Sequence, residues 1–128
     1  MDVEHLALVV AEPVEMAQWY AHHLGMRIVR SSTRPPYGHF LADSSGHVML
    51  EIYNNSSVSV PDYRGMNPLV LHLAFETKDV EADRDRLVLA GATPEGEILH
   101  ADNGDCIAML RDPWGLPIQL VNRAETML

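Results

Sequence analysis

The chain repeats itself, and this constrains its fold more than any other feature. Val3-Glu4-His5-Leu6-Ala7 returns as Val70-Leu71-His72-Leu73-Ala74, with His5 and His72 67 residues apart. The first copy runs through Trp19-Tyr20 to Leu24-Gly25. The second runs through Asp83-Arg84-Asp85-Arg86 to Ala90-Gly91, the two glycines lying 66 apart. Further on, Asp43-Ser44-Ser45-Gly46 leads to Glu51 and Asn54. Its counterpart Asp112-Pro113-Trp114-Gly115 leads to Gln119 and Asn122, with Glu51 and Gln119 68 apart. Landmarks at so nearly constant an offset point to a duplicated unit. With 128 residues the expectation is one domain, 1–128, holding module 1 over about 1–54, a linker at 55–68 and module 2 over about 69–123.

Each module reads β-α-β-β-β. Residues 3–10 are mostly apolar and β-branched, as in a strand buried on both faces. Pro13 suits the first turn of a helix, Val14, Ala17, Tyr20, Ala21 and Leu24 make an apolar stripe, and Gly25 closes it. Strands are expected at 26–33, 38–43 and 48–54. In module 2 a strand at 69–77 precedes a helix capped by Asp79 and stopped by Gly91, followed by strands near 93–100, 105–111 and 116–122. The stretch 55–68, rich in Ser, Asn and Pro, is a linker or a functional loop.

Composition excludes several partners. Nine Lys+Arg against eighteen Asp+Glu give a formal charge of −9, which argues against a nucleic-acid polyanion or an anionic membrane as partner. No apolar run is long enough to span a bilayer, the N-terminus has no basic leader, and the single Cys106 cannot form an intrachain disulfide. A cytoplasmic location is the expectation. Cys106 has no histidine partner identifiable in the sequence, His22-His23 reads as exposed helix, and no glycine-rich phosphate loop or serine-nucleophile motif occurs.

Strand alternation sorts the repeated polar residues. His5 shares a face with Ala7 and Val9, away from the helix-facing Leu6 and Leu8, and His72 stands in the same way opposite Leu73. Glu51 sits between Leu50 and Ile52, and Gln119 between Ile118 and Leu120. A polar side chain inside such a run is paired, ligated or solvated. Each of the four is therefore either a hydrogen-bonded strand residue or part of a site with imidazole and oxygen donors, a set that suits a divalent first-row metal. Tyr53 shares the face of Glu51, and is a substrate contact or a core residue. His39 lies in a neighbouring strand, as a site residue or a solvated one, and Trp114 roofs the site or lies at the surface.

These segments, together with Leu50-Glu51-Ile52 and residues 111–120 (Arg-Asp-Pro-Trp-Gly-Leu-Pro-Ile-Gln-Leu), resemble the vicinal oxygen chelate superfamily over nearly the whole chain. That superfamily includes glyoxalase I, methylmalonyl-CoA epimerase, extradiol dioxygenases, and fosfomycin and bleomycin resistance proteins. The resemblance implies an α+β fold in which two tandem βαβββ modules form a curved mixed sheet, a cup, around a metal site. It implies one divalent ion (Zn, Ni, Co, Mn or Fe) on His5, Glu51, His72 and Gln119, with Tyr53, His39 and Trp114 near a small-molecule substrate, and a homodimer. Gln119 stands where relatives carry a glutamate and cannot take a proton, which leaves Glu51 as the only general base. Val9 replaces an arginine that binds the glutathione carboxylate in bacterial glyoxalase I, so glutathione is disfavoured. The leading expectation is a glyoxalase-like lyase or isomerase on a vicinal-oxygen substrate. The alternatives are a non-catalytic binding or resistance-type protein, favoured by Gln119, and an Fe(II) ring-cleavage dioxygenase.

Overall fold

The first repeat folds as β1 (His5–Val9), α1 (Pro13–His23), β2 (Arg27–Ser31), β3 (His39–Ala42) and β4 (Met49–Tyr53). The second folds as β5 (Leu73–Glu76), α2 (Val80–Leu89), β6 (Thr93–Pro94), β7 (Leu99–His100), β8 (Cys106–Arg111) and β9 (Pro117–Asn122). This is a computed structural model that describes residues 1–47 and 49–128; Val48, at the start of the expected strand 48–54, lies outside the described residues. The chain divides into two units, Met1–Pro61 and Asp62–Leu128.

Both modules are present, but the expected cup is not. Strands hydrogen-bond into two separate sheets, one in the order β1-β4-β3-β2 and one in the order β5-β9-β8-β6, with β7 also on β8. In each, the first strand lies parallel beside the last and every other pairing is antiparallel. Each module thus satisfies its ladders internally, and the result is two open mixed sheets rather than one curved sheet around a metal. Among the described residues, no group of three His, Cys, Asp or Glu side chains is placed to hold a metal ion.

Local chemistry sets the element ends. Pro13 opens α1, and Gly25, with φ 68°, follows its last turn in the left-handed conformation that glycine tolerates best. The buried line of α1 is Pro13, Met16, Ala17 and Tyr20, a 3-4 spacing rotated from the expected stripe, so Val14, Ala21 and Leu24 lie half-buried instead. Asp79 caps α2 by accepting the Ala82 N–H at 2.9 Å. The strand expected at 69–77 begins only at Leu73. Asn67 accepts the Leu69 N–H on its side chain and the Val70 N–H on its carbonyl, turning the chain there. Pro94 and Gly96 likewise split the expected strand 93–100 into β6 and β7.

One core sits under each sheet. Met16, Ala17 and Tyr20 of α1 are fully buried, as are Leu41 and Ile52 on the sheet it covers; Leu87 of α2 is buried with Leu110 and Ile118. The repeated asparagines act as ties. Asn54 donates its amide to the Val10 carbonyl at 2.8 Å, and Asn122 to the Lys78 carbonyl at 3.0 Å, each joining the end of a module to the end of its first strand. The repeated aspartates hold the last hairpin turns. Asp43 accepts the Gly46 N–H at 3.0 Å in an exposed turn, while Asp112, with no solvent exposure, accepts the N–H groups of Trp114 and Leu116 at 3.0 and 2.8 Å.

The two aspartates should therefore differ sharply on mutation. Asp112→Ala strands one buried and one half-buried donor and is expected to cost about 2–4 kcal/mol, whereas Asp43→Ala costs about 1 kcal/mol or less; urea denaturation of each variant measures this. A pH effect follows from Asp105, which accepts the Ala124 N–H at 2.9 Å and the Arg123 guanidinium at 2.6 Å. The backbone bond, then the arginine, holds its carboxyl below the usual 3.8. Stability from this group is fully present above that usual value and is lost as pH falls through the lower folded value. Acid unfolding followed by circular dichroism should therefore show a shallower loss of stability in Asp105→Asn than in wild type.

Candidate functional site

Pairing register decides which side chains meet. In the first unit Ala7 pairs with Glu51 and Glu51 pairs with Phe40, so these residues share one face of the sheet, opposite α1. His5, two residues before Ala7, lies on the same face. Its Nε2 stands 3.4 Å from Glu51 Oε2, and its Nδ1 is hydrogen-bonded to the Glu4 carboxylate. The Glu4 hydrogen bond, helped by the charges of Glu4 and then Glu51, raises the His5 pKa above its ordinary 6.5. The His5 ring meets Phe40 edge-on, with centroids 5.5 Å apart. Gly38 leaves room beside the carboxylate: a Cβ there would come within 4.0 Å of Glu51 Oε1. Glu51 is 24% exposed and His5 35%, so both are open to a ligand.

The second unit repeats the register with different side chains. Ala74 pairs with Gln119, and Gln119 with Met109. His72 immediately precedes β5, and its Nδ1 donates to the Pro68 carbonyl at 2.7 Å, which leaves Nε2 with its lone pair. An open cavity of about 550 Å³ lies over Met109, bordered by Glu95, Arg111 and residues 65–69. The Arg111 guanidinium is 8% exposed and donates to the carbonyls of Tyr63, Met66 and Gly115, fixing the segment that walls this cavity. It also grips both oxygens of Glu95, at 2.8 and 3.2 Å, and this ion pair holds the Glu95 carboxyl below its ordinary value.

The remaining expected site residues are placed as follows. Tyr53 lies two residues beyond Glu51 on the same face, opposite Val9 and half-buried. His39 pairs with Ile52, not Glu51; it is 5% exposed on the helix-facing side, with Nδ1 bonded to the Tyr37 carbonyl at 2.7 Å. Trp114 sits half-buried in the turn held by Asp112, between β8 and β9. Sequence reading missed Glu4, Phe40, Glu95 and Arg111. Only Phe40 carried a usable signal, being one residue from His39 and therefore on the other face of the same strand.

Comparison with known proteins places this geometry in context. No functionally curated protein matches the chain. Among solved structures it is similar to SMU.1112c, with 32% identity, TM-score 0.73, and coverage of 95% of this chain and 98% of that one. It also matches TnmS3, an antibiotic binding protein from Streptomyces sp. CB03234, at 20% identity and TM-score 0.69, over 94% of this chain and 93% of that one. A glyoxalase family protein from Bacillus cereus matches at 16% identity and TM-score 0.72, over 94% and 91%. The family model of the Glyoxalase/Bleomycin resistance protein/Dioxygenase superfamily matches residues 2–120, so the chain belongs to that superfamily.

Proposed function

We propose that this protein binds a small molecule without transforming it, as a sequestering or resistance-type member of its superfamily. The observation that carries this reading is the cavity of about 550 Å³ over Met109, the residue that pairs with Gln119. Its volume suits a small ligand, and its lining sets Met66, Pro68, Leu69 and Met109 beside Asn67 and the satisfied Glu95–Arg111 pair, apolar contacts with polar groups that can orient a ligand. Gln119, at the register held by Glu51 in the other unit, offers a ligand hydrogen bonds but no proton. The likeness in fold to an antibiotic binding protein supports the same reading.

A second reading is favoured by one observation, the His5–Glu51 pair at 3.4 Å. Here the protein is a lyase or isomerase with Glu51 as general base. Each unit has one pair of the expected donors, His5 with Glu51 and His72 with Gln119, and a divalent ion bound by such donors would supply Lewis acidity. His72, with Nδ1 committed to Pro68, is set in the tautomer that ligates through Nε2. The work of the chain itself is to release Glu51 from His5 so that its carboxylate takes the proton.

A thermal-shift panel of antibiotics, bleomycin included, separates the two. Binding without turnover should raise Tm by several degrees at ligand concentrations near a hundred times Kd, equivalent to about 2.7 kcal/mol. The shift should survive chelator, disappear in Met109→Trp, which fills the cavity, and leave the compound chemically unchanged. No stabilisation by any compound would contradict the binding reading. Metal-dependent conversion that is lost in Glu51→Gln would establish the second. For the metal itself, elemental analysis by mass spectrometry should find about one equivalent in wild type and none in His5→Ala/His72→Ala if the second reading holds.

A further inference from the structure

β2 does not run straight beside β3. Ile28 pairs with Leu41 and Arg30 with Phe40, so two steps along β2 match one along β3, and Val29 is the extra residue of a β-bulge. Without it, Val29 would stand opposite Phe40, and Arg30 would turn toward the helix side with His39. The bulge instead delivers Arg30 to the face that carries Phe40, Glu51 and His5. The register then runs straight across all four strands, from Arg30 through Phe40 and Glu51 to Ala7.

The side chains along this row are complementary. Arg30 Cζ lies over the Phe40 ring, 5.8 Å from its centroid, at the outer limit of the ~6 Å range for cation–π attraction. The His5 ring lies 5.5 Å from the same centroid. Phe40 is therefore the ring that Arg30, on an exposed side chain free to swing aside, and His5 of the His5–Glu51 pair both approach. Arg30 is exposed and makes no ion pair among the described residues, unlike Arg86, Arg111 and Arg123, each of which is bound to a carboxylate. In a chain with net charge −9, an unpaired arginine held on a ligand-facing surface by a backbone irregularity is a selective feature for anions.

We propose that Arg30 and Phe40 make this face a receptor for planar aromatic carboxylates. The ring lies on Phe40, the carboxylate accepts from the Arg30 guanidinium, and a hydroxyl at the far end of the ring donates to Glu51. This is a ligand face of the first unit, built from other residues than the Met109 cavity of the second, and it rests on the same reading of the protein as a small-molecule binder. It adds a specificity residue that the duplicated pattern does not contain, because the second unit carries no arginine at the matching place: Glu95 lies beside Met109 there.

The test compares 3,4-dihydroxybenzoate with catechol, which differ only in the carboxylate, by isothermal titration calorimetry with and without one equivalent of Zn²⁺. Wild type should bind the acid at least about tenfold more tightly. Arg30→Ala should remove that preference while leaving catechol affinity unchanged, Arg30→Lys should keep part of it, and Phe40→Ala should weaken both compounds. Circular dichroism confirms that the variants fold. Equal affinities in wild type, or a preference that persists in Arg30→Ala, would overturn the Arg30 assignment and leave small-molecule binding standing. Failure of both compounds to bind under either metal condition would overturn the assignment, and a failed antibiotic panel as well would overturn the binding reading beneath it.

Discussion

The pairing of the first strand of each module against its last sets everything else in place. It is the one parallel ladder in each sheet, and it closes a connection that contains the helix and two further strands in the first unit and the helix and three in the second. Its register is the same in both copies, Ala7 on Glu51 and Ala74 on Gln119, and in the first copy it puts His5, two residues before Ala7, on the face of Glu51. A slip of one residue would turn Glu51 into the core and Leu50 or Ile52 out of it. Leu50 and Ile52 are at most 3% exposed beneath Met16 and Tyr20. The hydrophobic effect acting on that core therefore fixes the chemistry on the opposite face.

Duplication has kept the frame and changed its contents. Across the first sheet the row reads Arg30, Phe40, Glu51, Ala7; across the second it reads Glu95, Met109, Gln119, Ala74. In the first unit Arg30, at one end of the row, is exposed, and the His5–Glu51 pair is partly exposed. In the second, Glu95 is bound on both oxygens by Arg111, and that guanidinium is further committed to three carbonyls. Its charge is thus balanced internally, and the cavity beside it is lined by Met66, Pro68, Leu69 and Met109 together with Asn67 and this ion pair. One unit offers polar contacts and the other an apolar recess.

How much of this could be read in advance depends on the range of the interaction. Helices set by local signals, Pro13 and Gly25 in one case and Asp79 and Gly91 in the other, were legible because caps act within a few residues. The repeat marked His5 with His72 and Glu51 with Gln119 as corresponding positions, and the two parallel ladders pair Glu51 and Gln119 in the same register. The strand expected from Leu69 was not, because the apolar run continues through a turn that depends on the Asn67 side chain. His39 lies off the Glu51 face because parity between strands depends on register, which alternation within one strand does not supply. The bulge at Val29 and the Arg111 clamp are likewise products of pairing and of contacts distant in sequence. The single cup gave way to two sheets because hydrogen-bond partners are chosen between strands, and composition alone does not select among them.

The convergence of His5 and Glu51 is the claim on which the functional face rests, and the His5 ring reports it directly. NMR titration of the histidine ring resonances in metal-free protein gives its midpoint. The expected midpoint lies above 6.5, falls most in Glu4→Gln, whose hydrogen bond is the largest cause of the rise, and falls by a smaller amount in Glu51→Gln. A midpoint unmoved by Glu51→Gln, whatever Glu4→Gln does, would mean that the β1–β4 register does not bring the two side chains together and would contradict the site described above.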